Sequence, residues 1–148
     1  AAELYGLEDG TIRRAVEGGL PCMAECGGFL YLHETMTDME GNAYPMAGVI
    51  KGKAWNTGKL TRFGYITLQE GQVFGQQVGE IRSHEFHYFD SEDPGEDFLA
   101  VKPSGARSWR CIHSGGNLFA GFPHLYYYAN TKLPLAFLAA CRERKGTC

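Results

Sequence analysis

The chain contains no C-x-x-C pair, no H-E-x-x-H motif and no G-x-x-x-x-G-K-[ST] loop. Zinc ribbons, zincin-type metalloproteases and P-loop nucleotide sites are therefore not expected on it. Its cysteines are few and odd in number, five in 148 residues, which argues against a secreted disulfide scaffold and for reduced thiols in a cytoplasmic setting. Charge of one sign is scarce as well. Fourteen Lys and Arg against seventeen Asp and Glu leave a net charge of −3, with no basic block of the kind that nucleic acid or an anionic membrane attracts. No apolar run approaches the roughly 20 residues of a membrane-spanning helix. The opening residues, AAELYGLEDG, lack the basic start and apolar centre of a signal peptide.

Glycine, tyrosine and phenylalanine are plentiful, at 20, 8 and 9 residues, as in a chain of many turns and strands. The length suits one domain over residues 1–148. DGTIRRAVE (9–17) predicts a helix capped by Asp9 and stopped by Gly18 and Gly19. LPCMAE (20–25) predicts a short buried strand, Cys26-Gly27-Gly28 a sharp turn, and GFLYLHE (28–34) a second helix. Helix, strand, turn and helix in that order is the signature of an α/β fold with a parallel pair. YPMAGVI, LTRFGYITLQ, GEIRSHEFHYF and FLAVKP read as strands, and SWRCIHSGGNLFAGFPH as a hairpin closed at 114–117. TKLPLAFLAACRERK reads as a closing helix capped by Asn130 or Thr131, with Pro134 in its first turn. The expected architecture is a mixed sheet with a β-rich C-terminal half. Only one parallel-type strand precedes the turn, which suggests that the first strands of an α/β sheet are missing.

The Cys26 turn is the place where chemistry is expected. A strand breaking abruptly into a helix exposes the turn residue at the sheet edge, and small neighbours such as Ala24, Gly27 and Gly28 give it room. The start of a helix favours a thiolate, and the free N–H groups of Gly27 and Gly28 can donate to an oxyanion. A buried structural cysteine before a Gly-Gly loop fits the local pattern equally well. Cys22, Cys111, Cys141 and Cys148 carry no such signal. A thiol nucleophile needs a base, and of the five histidines His124, at the end of the AGFPH strand, is the best placed candidate. A half-exposed structural histidine is the competing reading. In SHEFHYF, His84 and His87 fall on opposite faces of a strand, so a metal site is not expected; the segment is either a polar strand edge or the wall of a substrate pocket.

LPCMAECGGFLYL, YPMAGVI, RFGYITL, SHEFHYF and LFAGFPHLYYYAN, in that order, resemble the C-terminal glutamine amidotransferase domains of the cobyrinic acid a,c-diamide synthase family. The resemblance runs over about residues 1–140, and its A-E-C-G-G turn and H-E-F-H-Y strand are a specific pair. It implies a flavodoxin-like class I amidotransferase fold, present here as a fragment of a larger carbon–nitrogen ligase. It implies Cys26 as the nucleophile toward the side-chain amide of glutamine, His124 as the proton carrier and Gly27 as an oxyanion donor. Gly28, His84, Glu85 and His87 are implied near the glutamine site, without individual roles. The Glu that many class I enzymes carry two residues after the histidine is Tyr126 here, so a Cys–His dyad is implied, and a second group to orient the imidazole is left unspecified. An ATP- and Mg-dependent synthetase half and a corrinoid acceptor are implied elsewhere, with no cofactor on this chain. The alternatives are the cobyric acid synthase branch or another tetrapyrrole amidase, a thiol hydrolase or redox protein on the same turn, and a fragment that only binds a partner.

Overall fold

The computed structural model describes residues 10–146. Helix α1 (Thr11–Glu17) ends as the two glycines require, with the Gly18 N–H bonded to Arg14 O at 2.8 Å. The expected Asp9 cap lies outside the described residues, and Gly10 holds the cap position. Strand β1 (Cys22–Glu25) leads through Cys26 into α2 (Gly27–Tyr31).

Here the structure corrects the sequence reading. The second helix stops at Tyr31, and His33 and Glu34 open strand β2 (His33–Thr37) instead. Segment 46–50 captures the carbonyls that would continue the helix. Ala47 bonds to Tyr31 O, Val49 and Ile50 to Leu32 O, and Gly48 to His33 O, all at 2.8–2.9 Å. The β-branched Thr35 and Thr37 then suit a strand. For the same reason YPMAGVI is not one strand. Only β3 (Ala43–Pro45) and the start of β4 (Ile50–Asn56) are extended, and the loop between them bonds back to residues 31–34.

The remaining elements are β5 (Arg62–Gln69), β6 (Ile81–His87), β7 (Phe89–Ser91), β8 (Phe98–Val101), β9 (Ser108–Cys111), β10 (His113–Gly115), β11 (Leu118–Gly121), β12 (His124–Leu125), a 3₁₀ turn (Tyr127–Ala129) and α3 (Lys132–Gly146). They form three sheets, ordered β1-β11-β10, β12-β6-β5-β8-β9 and β3-β2-β4-β7. The pairs β1–β11 and β2–β4 are parallel and the others antiparallel, so the fold is mixed α/β. The expected hairpin is shorter than its sequence. Ile112, at φ 67°, swings the chain out of β9, which pairs with β8, so that only β10 and β11 form the hairpin around Gly116 (φ 58°).

The β1-β11-β10 sheet lies between two apolar clusters. Met23 and Phe119 pack with Ile66, Leu68, Ile81, Phe98 and Leu133 on one side. Ala24 and Ala120 pack with Phe29, Leu30, Ile50, Ala54 and Phe122 on the other. This accounts for the near-continuous apolar run of β1, because a strand covered on both faces has no polar face to show. Helix α3 is capped as expected. The Asn130 side-chain oxygen accepts from Lys132 N–H at 3.2 Å while its amide donates to Val78 O and Glu80 O at 2.9 Å. His33, fully buried, donates from Nδ1 to Phe29 O (3.0 Å), and its Nε2 accepts from the Ser91 hydroxyl (2.6 Å). That bond ties the end of α2 to β7. No helix among the described residues is long and apolar enough to cross a membrane.

Candidate active site

Cys26 adopts φ 46°, ψ −104°, in the half of the backbone map that non-glycine residues avoid. Such a conformation costs about 1–3 kcal/mol and persists only where its surroundings enforce it. The enforcement is visible. The Cys26 N–H donates to Gly121 O and the Cys26 carbonyl accepts from Leu30 N–H, both at 2.9 Å. One bond ties the residue to β11 and the other to α2, so the chain must turn between them. A Cβ at Gly28 would lie 3.5 Å from the Ala24 Cβ, a contact that a larger pair would crowd. Gly27 faces open space, so neither sterics nor its φ demands a glycine there.

The sulfur is half-buried. Burial raises the Cys26 pKa above its ordinary value of 9.0; the Gly27 N–H, bonded to the sulfur, pulls it back, and the Glu85 and Glu25 carboxylates raise it further. The expectation of a thiolate stabilised by the helix start is therefore corrected. Helix α2 has five residues, too short for much of a dipole, and the resting group is a thiol. Attack by this sulfur requires that something take its proton.

The segment 121–125 runs alongside the Cys26 turn. Phe122 meets Phe29 of α2 edge-on at 4.9 Å and stacks on the His87 ring at 3.9 Å, with 7° between the planes. Glu25, the residue before the nucleophile, accepts from the Leu125 N–H at 2.9 Å and from the Tyr127 hydroxyl. Burial first, and that bond second, raise the Tyr127 pKa. His124 thus sits in a segment fastened to the turn on both sides. Its ring is exposed and pairs across strands with His84. Among the described residues no hydrogen bond joins it to Cys26.

The H-E-F-H strand divides its residues between two faces, as its spacing predicts. His84 faces outward with His124, and together with Tyr65, Arg82 and Tyr126 they line a cavity of about 790 Å³. Glu85 and His87 face inward and are buried. Glu85, only 1% exposed, accepts from Trp109 Nε1 (3.3 Å), lies 3.3 Å from His87 Nε2 and forms an ion pair with Arg62 Nε at 3.7 Å. The Arg62 guanidinium also lies 4.5 Å over the Trp109 ring. The His87 Nδ1 contacts Phe89 O at 2.7 Å. The motif is therefore a buried polar support beneath the turn on one face and a cavity wall on the other. Among the described residues no group of three or more His, Cys, Asp or Glu is arranged to hold a metal.

Sequence reasoning missed Glu25, Tyr127, Arg62 and Trp109. Glu25 left a signal, as the one carboxylate in an otherwise apolar strand, which needs a partner. The other three left none.

A strained cysteine at a strand-to-helix turn with a histidine-bearing segment fastened beside it invites comparison with known amidotransferases. The family model of the CobB/CobQ-like glutamine amidotransferase domain matches residues 3–132. The chain belongs to this family. Among curated members, it is 38% identical over 127 residues to the cobyrinate a,c-diamide synthase of Fusobacterium nucleatum, which covers 82% of this chain and 28% of that protein. The enzymes of the same name from Caldanaerobacter subterraneus and Streptococcus sanguinis are 35% and 33% identical, over 88% and 97% of this chain and 30% and 33% of their own lengths. The chain thus spans about a third or less of the curated relatives it matches.

Proposed function

We propose that this chain is the glutaminase part of a cobyrinate a,c-diamide synthase, hydrolysing glutamine to supply ammonia for ATP-dependent amidation of the a and c side chains of cobyrinic acid in cobalamin biosynthesis. The observation that carries the reading is the Cys26 backbone, strained at φ 46° between β1 and α2 in a chain of the amidotransferase family. In the proposed reaction Cys26 Sγ attacks the side-chain amide carbon of glutamine as His124 accepts the thiol proton. The Gly27 N–H, already beside the sulfur, turns to the developing oxyanion. Collapse of the tetrahedral adduct breaks the C–N bond, and His124 returns the proton to the departing ammonia. A thioester remains. Water, deprotonated by His124, attacks it, and glutamate leaves with the thiol restored.

The raised thiol pKa supports a base that acts during attack rather than a standing thiolate. The exposed His124 ring closes on the sulfur once glutamine fills the site, since catalytic hydrogen bonds are commonly loose in unliganded enzymes. Gly28, His84, Glu85 and His87 serve the glutamine site, Glu85 and His87 from beneath the turn and His84 from the cavity wall. ATP, Mg and the corrinoid are assigned to the synthetase part of the protein. The sequence has no G-x-x-x-x-G-K-[ST] loop, and among the described residues no acidic cluster is arranged for Mg, so no step here runs through them. The same proposal includes a flavodoxin-like sheet completed by strands outside this chain. Among the described residues β1 has β11 on one side and an open edge on the other, which supports it.

In the full-length protein, Cys26→Ala should lower glutaminase kcat by at least about 10³-fold and His124→Ala by about 10²–10⁴-fold. A glutamine-like diazo ketone should label Cys26 alone, as read by peptide mass spectrometry. Labelling elsewhere, or hydrolysis that survives Cys26→Ala, removes the dyad.

A further inference from the structure

We propose that Glu25 is a positioning residue for the proposed reaction, holding the His124 segment against the Cys26 turn through its two carboxylate oxygens. The inference rests on the dyad reading and adds to it the group that sets the imidazole's place. The geometry is specific. Glu25 Oε2 accepts the Leu125 N–H at 2.9 Å, immediately after His124, and Oε1 accepts the Tyr127 hydroxyl two residues further on. On its other side the residue is peptide-bonded to Cys26. One side chain therefore spans from the nucleophile to the two positions, Leu125 and Tyr127, that follow His124, a separation of about 100 residues in sequence.

Three features distinguish this clamp from ordinary surface polarity. Glu25 is the one charged residue of β1, a strand whose other positions are Cys, Met and Ala. Of three consecutive tyrosines, Tyr126 faces the outer cavity and Tyr128 is 89% exposed, while only Tyr127 turns back to the carboxylate. Position 126, two residues after His124, is a tyrosine, so the histidine's own segment offers no carboxylate there. The carboxylate reaches this segment instead from the nucleophile's strand. It contacts the backbone rather than the ring, so it fixes where His124 starts and not its tautomer.

A clamp of this kind is a matter of placement. A displacement of about 1 Å at a reacting group costs on the order of 10²-fold in rate. In the full-length protein, glutaminase kcat should fall about tenfold in Tyr127→Phe, which removes one donor and keeps the ring, and about a hundredfold in Glu25→Ala. Glu25→Gln, with one accepting oxygen left, should fall between them. The KM for glutamine should change by less than about twofold, and diazo ketone labelling of Cys26 should slow in step with kcat. Alkylation of Cys26 by iodoacetamide, which needs no imidazole, should not change in Tyr127→Phe and should not slow in the Glu25 variants, which lose a carboxylate that raises the thiol pKa. Wild-type kcat in Tyr127→Phe and Glu25→Ala, with Cys26→Ala and His124→Ala inactive, overturns the clamp and leaves the dyad standing. A loss shared by KM and the iodoacetamide rate makes Glu25 merely structural, and also overturns it. Activity in Cys26→Ala removes the dyad and the clamp together. Tyr127→Phe deletes one hydroxyl, so it decides the matter even if Glu25→Ala fails to fold.

Discussion

At Cys26 a single residue carries two burdens, a backbone that L-amino acids avoid and a thiol whose deprotonation is made harder by burial. The first can be measured without any catalysis. At most positions alanine is more stable than glycine by about 0.5–1 kcal/mol, because glycine loses more freedom on folding. Strain of about 1–3 kcal/mol at φ 46° acts against alanine only. Cys26→Gly should therefore be more stable than Cys26→Ala by about 1 kcal/mol in urea unfolding, the reverse of the usual order. The usual order would mean that the turn relaxes once the thiol is gone. At this scale the sequence was informative where a local rule applied. Small residues around a cysteine, between an apolar run and an apolar helix, announce a sharp turn, and leave open whether its thiol reacts or only packs. It was silent on Glu25, whose partners stand about a hundred residues away, because no local rule tells a carboxylate which amide it will meet.

Among the elements, β11 does the most to fix the site. It pairs with β1 in parallel, lends the Gly121 carbonyl to Cys26, and contributes Phe119 to one apolar cluster and Ala120 to the other. Gly121 is required by close approach. A Cβ there would lie 2.6 Å from Ile112 Cγ1 and 3.2 Å from Ile112 Cα. The methylene can rotate away, but the backbone of Ile112 is pinned, its N–H bonded to Pro94 O and its carbonyl accepting from Asp97, at 2.8 and 3.0 Å. Gly121→Ala should cost about 1–3 kcal/mol by urea unfolding and slow diazo ketone labelling of Cys26, since the carbonyl that anchors the turn shifts with it. An unchanged unfolding midpoint would place the slack in Ile112. Strands β5 and β6 were legible from β-branched and aromatic residues set between Gly-rich turns, while the burial of Ile81–His87, inward at odd and outward at even positions, follows the strand period and not an apolar pattern, since Ser83, Glu85 and His87 face inward. The extent of α2 was not legible. Its apolar run suits helix and strand alike, and hydrogen bonds from residues 46–50 settle where one gives way to the other.

For the whole molecule, the α/β class with a β-rich second half followed from periodicity, while the division into three sheets did not. The chain leaves one sheet for another at Ile112, and nothing in Cys111-Ile112-His113 announces the positive φ that does it. Assembly does, however, bury groups whose titration reports on global stability. His33 is fully buried between α2 and β7, and burial lowers its pKa from 6.5 against two opposing backbone bonds. A lowered basic pKa means that the native state resists the proton. The stabilisation is present above 6.5 and is lost as pH falls below it toward the native value. The thiols act at the other end. Burial raises Cys22 and Cys26 above 9.0 and Cys111 to about 12, so the native state resists losing these protons, and stability present below 9.0 is lost as pH rises toward those values. The unfolding free energy should therefore form a plateau between these limits. Its acid limb should fall by at most about 1.4 kcal/mol per pH unit from His33. His33→Gln should lower the plateau, because it breaks the bond to Ser91. It should also flatten the difference between unfolding at about pH 7.5 and about pH 5.5. An undiminished acid limb in His33→Gln would make the buried ring a spectator of pH.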